Sequence, residues 1–547
     1  MINRILQLLV LASLTQLPVA VSVQARQTAP PNILFIAVDD LNDWVSPLKG
    51  HPQTITPNFD RLTESGTRFT NAHCQAPLCG PSRASLFTGL TPATTGIYLH
   101  IDDNRIRNAS GPAHRSTFLT EWFEANGYTT MGAGKLLHQG AGANLLQQWG
   151  GHSSHGPRPS ENFKYESGGT STDWGAYPQR DSLMPDHRVA SYGVEQLNRS
   201  HDKPFFLALG FNRPHVPFYV PQKWFDRIDL ETVETPPYLE NDLDDAPAIS
   251  RTIHNMPPTP ETEWLIERDY WKEVVQAYLA CVAFVDHQLG RVLDALEASE
   301  HADNTIIVLW SDHGYHLGEK NIVAKMTVYE ESTRVPLIFA GPGIAVNATS
   351  TRPVGLIDIY PTLLELAGLP ANPTNEGRSL VPLLQDPEAE WEYPALTYWG
   401  RNNTAVRTER YRYIRYEDGS EELYDRRSDP NEWNNIADDP ATAAIRARLR
   451  QHIPASQAPL SAESHFGWNS YWRQKTNAAK RNRFDRRNSW SYWADSSNPG
   501  SVTFQTGDFM GRIAVFEPFV YSFALNTWFY LPEYFLESGG TWAYIMR

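Results

Sequence analysis

The sequence predicts an α/β protein with a mostly parallel central sheet flanked by helices, followed by a smaller α+β domain with an antiparallel sheet. The first observation is a pair of short, continuous apolar runs, residues 32–38 and 304–310, each followed at once by acidic residues. Such runs are typical of strands buried on both faces of a parallel sheet. The second is that helical patterns separate the strand candidates, which predicts alternation of strands and helices. The third is a change after about Gly377, where short β-like segments and a turn at Asp418-Gly419 favour an antiparallel sheet.

These patterns divide the chain into four parts. Residues 1–25, 26–376, 377–455 and 456–547 are predicted to be, in order, an export signal, a large N-terminal domain, a smaller C-terminal domain and an extension of unknown role. The predicted elements are strands at 32–38, 205–210, 304–310, 335–340, 396–398, 408–416 and 422–424 and helices at 117–126, 270–298, 361–367 and 441–452.

The extension differs from the rest of the chain in composition and periodicity. Residues 456–498 mix polar, Trp and Arg residues with little periodicity, and residues 501–547 are rich in aromatic residues with β-like runs at 513–516 and 528–531. Two interpretations stay open for it, a small aromatic module for surface or glycan attachment and a structural cap.

The N-terminus has the pattern of an export signal. Arg4 precedes an apolar run at residues 5–14, and the small-residue sequence before position 26 favours cleavage after Ala25. The alternative is a buried N-terminal helix. The apolar run is too short to span a bilayer, and no later stretch is long and apolar enough, so we expect no transmembrane segment. Export predicts a periplasmic, cell-surface or extracellular protein.

The net charge and the number of cysteines argue against a nucleic-acid-binding protein and against a disulfide-rich scaffold. The formal net charge is -15, which argues against a nucleic-acid partner because binding a polyanion requires a basic surface. Three cysteines in 547 residues do not form a disulfide scaffold. Cys74 and Cys281 are interpreted as buried thiols that act as small hydrophobes, and whether they pair stays open.

Acidic residues at the two strand ends point to a cation. Adjacent carboxylates at Asp39 and Asp40 repel each other unless a cation or hydrogen bonds compensate. Asp312 and His313 repeat the arrangement, and active sites of parallel α/β sheets form beyond the carboxyl ends of the strands. Three carboxylates and one imidazole suit a hard divalent cation such as calcium. The competing interpretation is that both pairs only begin turns or cap helices.

The residues from Cys79 to Gly89 carry the most specific signal. They read Cys-Gly-Pro-Ser-Arg-Ala-Ser-Leu-Phe-Thr-Gly, after an Asp-Asp strand end and at the start of an apolar helix pattern. This segment resembles the Cys-x-Pro-Ser-Arg signature, followed by Thr-Gly, of the formylglycine-dependent (type I) sulfatase family. The resemblance implies an alkaline-phosphatase-like fold, hydrolysis of sulfate esters and a maturation enzyme that oxidises Cys79 to formylglycine (3-oxoalanine).

The resemblance also implies a mechanism and a cation site. One hydroxyl of the hydrated aldehyde attacks sulfur and expels the alcohol, and deprotonation of the other then releases sulfate and restores the aldehyde. The implied ligands of one Ca²⁺, with Mg²⁺ as the alternative, are Asp39, Asp40, the residue made from Cys79, Asp312 and His313. The cation is expected to lower the pKa of the hydroxyl and to neutralise the sulfate oxygens.

Other residues match family segments in the expected order. Arg83 lies within the signature itself, and its forked hydrogen-bond donors are expected to stabilise the nucleophile. Gly134-Lys135-Leu136-Leu137-His138 resembles the Gly-Lys-x-x-His segment, and its spacing puts Lys135 and His138 on one face if the segment is helical. Lys135 is expected to bind sulfate and His138 to help deprotonate the nucleophile. The remaining matches, His215 and Lys325, are expected on the leaving-group side.

The resemblance extends over about residues 32–453 and leaves the extension uncovered. Residues 423–432 resemble the Leu-Tyr-Asp hairpin of the family. His313 stands where most members have Asn, and together with the segment Asn212–Pro217 this is similar to the iduronate-2-sulfatase branch. That branch spans enzymes with different sugars, so a sulfated carbohydrate is the expected substrate without a specified sugar. The oligomeric state stays open.

Two other functions are kept as alternatives. A phosphoesterase of the related alkaline phosphatase superfamily has a Ser or Thr nucleophile and more zinc ligands, whereas this chain has Cys79 in a modification motif. A non-catalytic glycan-binding surface protein would keep Cys79 unmodified and use the aromatic extension. The complete set of matching residues favours the sulfatase.

Overall fold

The computed structural model describes residues 29–109, 116–166 and 170–488 and five short strands of the tail. The predicted export signal, residues 1–25, lies outside the described residues. None of the helices in the described part of the chain combines the length and the apolar composition that crossing a bilayer requires.

A large, mostly parallel sheet forms the centre of the molecule, as predicted. In the described part of the chain it has nine strands in the order β10-β2-β9-β8-β1-β6-β3-β4, with β11 paired to β2. Among the described strand pairs of this sheet, β9 pairs antiparallel with β2 and with β8, and the other pairs are parallel. The strands are β1 Asn32–Asp39, β2 Gly66–His73, β3 Thr129–Gly134, β4 Gln148–Trp149, β6 Phe205–Pro214, β8 Thr305–Ser311, β9 Arg334–Ala340, β10 Ala348–Ser350 and β11 Val354–Gly355. Strands β5 Trp174–Ala176 and β7 Phe218–Val220 form a separate parallel pair.

Strand β1 shows why its apolar run is continuous. Every residue of β1 is buried. Leu34 and Ile36 face one apolar cluster, while Ile33 and Phe35 face a second cluster on the opposite side of the sheet. A strand covered on both faces needs apolar side chains at successive positions rather than at alternate ones. The central sheet is therefore the middle layer between two layers of helices.

The helices confirm the predicted α/β class. The α-helices are α1 Pro57–Glu64, α2 Cys79–Thr88, α3 Pro92–Thr95, α4 Leu119–Ala125, α5 Pro185–Leu197, α6 Gln222–Phe225, α7 Ala248–His254, α8 Thr262–Glu267, α9 Trp271–Glu297, α10 Glu330–Thr333, α11 Ile359–Leu366, α12 Val381–Gln385, α13 Ala443–Arg450 and α14 Ser470–Asn488. Short 3-10 helices are Asp103–Asn108, Ala141–Asn144, Asp181–Leu183, Leu230–Thr232, Ala302–Asn304, Glu319–Asn321, Leu356–Asp358 and Pro440–Thr442.

An antiparallel sheet follows the central sheet, also as predicted. Its strands, within the described residues, run in the order β12-β13-β14-β15, and helix α13 packs on β14. They are β12 Ala395–Tyr398, β13 Thr404–Arg407, β14 Tyr411–Arg415 and β15 Glu421–Asp425. The single strand predicted at 408–416 is wrong at its start, because Thr408 lies in the turn between β13 and β14, where its backbone N–H donates to Tyr411 O.

The extension contains a helix that the sequence did not indicate. Residues 470–488 form α14, although the region was interpreted as lacking periodicity. Its weak pattern has a physical reason, since the first turns bury Trp472 while much of the helix surface is charged or polar. Within the tail, the described strands pair antiparallel in chain order: β16 Val502–Gln505, β17 Arg512–Phe516, β18 Phe519–Ser522, β19 Thr527–Tyr530 and β20 Tyr544–Met546.

The two cysteines outside the signature are not paired with each other. Cys74 and Cys281 are buried free thiols. Burial raises the pKa of both thiols, that of Cys281 to about 12, which keeps them protonated.

Candidate active site

The two acidic strand ends meet at one edge of the central sheet. Strands β1 and β8 are parallel neighbours in register, with Val38 opposite Ser311, so their carboxyl ends emerge side by side. Asp40 has a φ of 60°, a left-handed conformation that is strained for a residue with a side chain. Its backbone is held there because Asp40 N donates to Asp312 Oδ1 at 3.1 Å and Asp40 O accepts from Tyr278 at 2.8 Å.

Cys79 lies in the first turn of α2 and faces these strand ends. Its side chain is buried, and all ten residues of α2 are buried too. The Sγ atom is 3.2 Å from His313 Nε2, 3.3 Å from Lys325 Nζ and 3.9 Å from an Asp40 oxygen. Burial opposes ionisation of the thiol, but the ammonium groups of Lys135 and Lys325 hold the pKa of Cys79 below its ordinary value.

Arg83, one turn further along α2, joins the two strand ends. Its Nε donates to Asp312 Oδ2 at 2.8 Å, and its Nη2 lies 3.2 Å from Asp39 Oδ1. A third donor, Nη1, reaches the carbonyl oxygens of Lys135 and Leu136. The guanidinium is fully buried, and the fixed fork of donors suits it to hold several groups at once. Arg83 therefore orients the carboxylates and does not contact the Cys79 sulfur.

The two predicted lysines pair with the two adjacent carboxylates. Lys135 follows β3 and its ammonium binds Asp39, while the ammonium of Lys325 is 2.5 Å from Asp40 Oδ1. Burial alone would raise the pKa of Asp39. Lys135, together with His215 and Arg83, outweighs this effect and holds that pKa well below its ordinary value. Asp40 behaves differently, since burial and the neighbouring Asp39 raise its pKa to about 7 in spite of Lys325.

The donor set fits a divalent cation. Ligand atoms of Asp39, Cys79, Asp312 and His313 lie within 4.8 Å of one another, and so do those of a second group in which Asp40 and His215 join Asp39 and Cys79. Asp40 Oδ2 is buried and has no hydrogen-bond partner among the described residues. A buried carboxylate oxygen without a hydrogen bond is costly, and a bound cation would satisfy it. The residues named from the sequence as cation ligands are thus brought together.

His215 stands at the end of β6 next to this group. Its Nδ1 lies 2.7 Å from Val216 O, so Nδ1 carries a proton and donates a hydrogen bond to that carbonyl. The other ring nitrogen, Nε2, lies 3.8 Å from Asp40 Oδ2, too far for a hydrogen bond. The turn that carries it is fixed by Asp186, a residue that sequence reasoning missed. This buried carboxylate accepts from the backbone N–H groups of Asn212 and Arg213 at 2.7 and 2.9 Å. No motif marked Asp186, because its role is visible only once α5 packs on β6.

His138 lies further out than Lys135. Residues 135–138 are not helical, so the shared helix face suggested for Lys135 and His138 does not exist. His138 instead stacks on His100, with ring centroids 3.8 Å apart, and its Nδ1 has no partner among the described residues. Burial lowers the pKa of His138 to about 3, with Lys135 adding to the effect, so the imidazole is neutral. It lines the pocket above Cys79 and does not contact the sulfur in this structure.

A cavity of about 490 Å³ opens above Cys79. Lys325 and His215 line its lower part, and its walls come from loops and from the start of the extension. Aromatic and Arg residues in three sequence segments, 98–107, 149–174 and 398–401, predict an outer pocket that reads sugars, with ordinary loop packing as the alternative. The first two segments contribute lining residues, whereas 398–401 does not. Sequence reasoning missed the wall supplied by residues 465–468, because no motif there indicated an approach to the active site. The walls are lined by His100, His138, His155, Thr170, Ser171, Thr172, Val216, Thr259, Tyr315, Ala324, Met326, His465, Phe466, Gly467 and Trp468.

Family models cover most of the chain. The model described as Sulfatase matches residues 31–369, and the model of the N-sulphoglucosamine sulphohydrolase C-terminal region matches residues 318–458. The first match includes every residue of the candidate site named from the sequence. The second ends shortly before residues 465–468.

Curated relatives and solved structures agree with these models. A sulfatase of Formosa agariphila is 49% identical over 83% of this chain and 93% of its own length. Mouse iduronate 2-sulfatase is 30% identical over 62% of this chain and 69% of its own length. Among solved structures, BT4656 bound to its substrate D-glucosamine-2-N,6-O-disulfate is similar with a TM-score of 0.62, 23% identity and coverage of 77% of this chain and 96% of that one. The phosphonate monoester hydrolase of Agrobacterium radiobacter is similar with a TM-score of 0.64, 22% identity and the same coverage, and both likenesses concern the fold. The chain therefore belongs to the sulfatase family of enzymes.

Proposed function

We propose that this sulfatase hydrolyses sulfate esters of sugars or polysaccharide fragments, with a nucleophile made from Cys79. The observation that carries the proposal is the position of Cys79 Sγ. It lies at the base of the cavity, within 4 Å of an Asp40 oxygen, His313 Nε2 and Lys325 Nζ. Residue 79 is a cysteine in this structure, and its sulfur marks where the hydroxyl oxygens of a hydrated formylglycine would stand.

The side chains around Cys79 are arranged to stabilise a sulfate group. The Lys325 ammonium lies 3.3 Å from the sulfur, and Lys135 acts on it electrostatically. Burial lowers the pKa of both lysines, but the neighbouring carboxylates and Cys79 raise it above the ordinary value, so both stay charged. Positive charges fixed in a site that excludes water lower the energy of the anionic transition state. Lys325 lines the cavity, and in this proposal its ammonium donates a hydrogen bond to the departing sugar oxygen. Lys135 is bound to Asp39, and in this proposal its ammonium binds the sulfate oxygens.

A divalent cation held by Asp39, Asp40, Asp312 and His313 would promote ionisation of the nucleophilic hydroxyl and neutralise sulfate oxygens. Carboxylate oxygens dominate this donor set, which favours calcium, with magnesium as the alternative. The orphaned Asp40 Oδ2 supports the same assignment. Arg83 keeps the carboxylates of Asp39 and Asp312 in place by bridging them.

A sugar substrate is supported by relatives and by the shape of the site. The ulvan-active sulfatase of Formosa agariphila is 28% identical over 83% of this chain. The cavity is large enough for a sugar ring and has hydroxyl and imidazole groups on its walls. The predicted export signal supports action outside the cytoplasm, in the periplasm, at the cell surface or in the medium, after a maturation enzyme has oxidised Cys79.

Release of inorganic sulfate tests the proposal. The protein is co-expressed with a formylglycine-generating enzyme, supplied with Ca²⁺ and incubated with a panel of sulfated saccharides and with the corresponding phosphate esters. We expect sulfate release from at least one saccharide class, little phosphate release, and none of either from Cys79→Ala. Phosphate release that exceeds sulfate release would favour the phosphoesterase alternative, and saccharide binding without any release would favour the glycan-binding alternative.

A further inference from the structure

The start of the C-terminal extension runs beside the loop that leads from α2 to the pocket. Ala458 N donates to Ala93 O at 2.7 Å, Ser461 N to Gly96 O at 2.9 Å and His465 N to His100 O at 2.8 Å. These three bonds tie the extension to the loop over residues 93–100. Residues 457–468, called here the wall segment, are thus bound to the catalytic domain along their length.

Gly96 shows how close this approach is. Its φ is 73°, and a Cβ atom at this position would stand 2.3 Å from Pro459 O. Only glycine meets both conditions without a shift of the backbone. The sequence of the catalytic domain is therefore adapted to the wall segment, which argues against the segment being a loosely attached tail.

The far end of the wall segment is anchored as well. Asn469 Nδ2 donates to Thr252 O and Asn255 O, each at 2.7 Å. Trp472, in the first turn of α14, is 2% exposed and packs on Trp399 with ring centroids 4.8 Å apart. A segment fixed at both ends presents its side chains to the pocket in a defined geometry.

The wall segment brings an aromatic surface to the cavity. Trp468 lines the cavity, is half-buried and lies 5.4 Å from Phe466 between ring centroids. Phe466 itself is held between Trp399 and His100, at 5.6 and 6.3 Å. Phe466 is thus part of the support, while Trp468 is only half-buried and lines the cavity. A half-buried aromatic ring offers a flat, apolar and electron-rich surface to a ligand.

The remaining lining mixes hydroxyl and imidazole groups with apolar residues such as Val216 and Met326, and it is almost uncharged. Among the described lining residues Lys325 is the one with a permanent charge, and Asp40 binds its ammonium. The buried imidazole nitrogens His100 Nδ1, His138 Nδ1 and His155 Nδ1 have no hydrogen-bond partner within the described part of the chain. Buried polar atoms of this kind are normally satisfied, which points to hydrogen bonds with a ligand. Hydroxyl groups match them, whereas a carboxylate would find no arginine and no unpaired lysine among the lining residues that the structure describes.

We propose that residues 465–468 form a specificity element for a sulfated sugar ring that carries no carboxylate, with Trp468 as the surface on which the ring stacks. The apolar C–H face of a pyranose covers the Trp468 ring, and ring hydroxyls reach His100 and His155. The inference rests on the proposed function in one respect, since it places the sulfate of the same sugar at Cys79. It assigns part of the pocket to a segment beyond the regions that the family models match.

Trp468→Ala is tested in two assays, turnover by the matured protein with Ca²⁺ and calorimetric binding in a Cys79→Ala background. The probes are sulfated galactose, glucose and fucose oligosaccharides and 2-sulfated uronate disaccharides. For the neutral sugars we expect KM and Kd to rise about tenfold in Trp468→Ala, with kcat reduced less than threefold. Trp468→Phe keeps an aromatic face and is expected to recover most of the binding. Trp433, half-buried and distant in sequence from every lining residue, gives a matched control, since Trp433→Ala is expected to leave KM and Kd unchanged.

Two results would overturn the inference: unchanged KM and Kd in a Trp468→Ala protein with a normal unfolding transition, or tighter binding of the uronate than of every neutral sugar. Binding that depends on Trp468 without sulfate release by the unsubstituted protein would support the specificity element and contradict the proposed hydrolysis. Conversely, sulfate release that does not change when Trp468 is substituted would support the proposed function and contradict this inference.

Discussion

Two buried clusters of charged side chains among the described residues differ in one respect. The first surrounds Cys79 at the base of the cavity. The second, the Glu330 cluster, consists of Glu330, Arg407, Arg412, Arg426 and Glu432 and joins the central sheet to the antiparallel sheet. Both place carboxylates among cations with almost no exposure to water. Burial of charge alone therefore does not distinguish a catalytic site from a structural one.

The Glu330 cluster satisfies its carboxylates completely. Each oxygen of Glu330 contacts at least one guanidinium, and Glu432 binds Arg412 through one oxygen and the Glu330 backbone N–H through the other. Burial opposes ionisation, but Arg407, Arg426 and Arg412 together hold the pKa of Glu330 well below its ordinary value. At the base of the cavity, by contrast, Asp40 keeps one oxygen without a partner and its pKa is raised to about 7. The unsatisfied atom beside an open cavity, rather than the charge, marks the functional site.

The largest expected effect is on turnover, when the nucleophile of the first cluster is removed. Cys79→Ala removes the nucleophile, so turnover should fall about 10,000-fold or more while the midpoint of chemical unfolding stays nearly unchanged. Cys281→Ala is the matched control, because Cys281 is also buried but lies in α9 away from the cavity lining. It should lose about 1 kcal/mol of stability and keep its turnover. Equal loss of turnover in both variants would contradict the assignment.

The next effect concerns stability. Arg412→Met removes one guanidinium from two buried carboxylates, Glu330 and Glu432, which should reduce the free energy of unfolding by about 3–5 kcal/mol in denaturant titrations. Arg410, two positions away, pairs with Asp425 at the surface, so Arg410→Ala should leave the transition where it is. If Arg412→Met unfolds at the same denaturant concentration as the parent, the Glu330 cluster does not hold the two sheets together.

Stabilisation by Ca²⁺ tests the proposed cation site without an activity assay. At a Ca²⁺ concentration 100 times its Kd, the protein should gain about 2.7 kcal/mol of stability. Asp40→Asn removes a charged ligand and should lose most of this gain. Asp286→Asn alters another buried carboxylate, bound by Asn58 and the backbone N–H of Phe59, and should keep the full response to Ca²⁺. Thermal unfolding of the three proteins with and without Ca²⁺ gives the comparison, and an Asp40→Asn protein that still responds fully would exclude this site.

The smallest expected effect concerns the wall segment. Gly96→Ala combines a positive φ with a clash against Pro459 O and should cost about 2 kcal/mol or more. Gly368 has a similar φ of 65° with nothing within 4 Å of the added Cβ, so Gly368→Ala should cost about 1 kcal/mol. Equal costs in urea titrations would mean that the wall segment does not press on Gly96.

The base of the site was predictable because its residues follow elements that the sequence states clearly. Two apolar strands end in acidic residues, and parallel pairing of β1 with β8 brings these ends together. The helix that begins at Cys79 carries Arg83 one turn later, so one short motif positions both residues. Local sequence thus contained the strand ends, the nucleophile and its neighbour on the helix.

The rest could not be predicted because it depends on contacts between distant segments. Strand β2 carries Thr67, Arg68 and Thr70, and its mixed composition gave no strand signal. Glu432 was noticed only as part of a hairpin pattern, and its contact with Glu330, 102 positions earlier, follows from the packing of the two sheets. Trp468 lay in a region without periodicity, and nothing in that region indicates that it returns to the cavity.

The most direct test of the central claim relates turnover to the chemical state of residue 79. Preparations made with graded amounts of the formylglycine-generating enzyme are digested, and peptide mass gives the fraction of residue 79 present as aldehyde. The rate of sulfate release per mole of protein, measured with Ca²⁺ on the best saccharide of the panel, should rise in proportion to that fraction and extrapolate to zero. A rate that does not depend on the aldehyde fraction, or that persists in Cys79→Ala, would contradict the account.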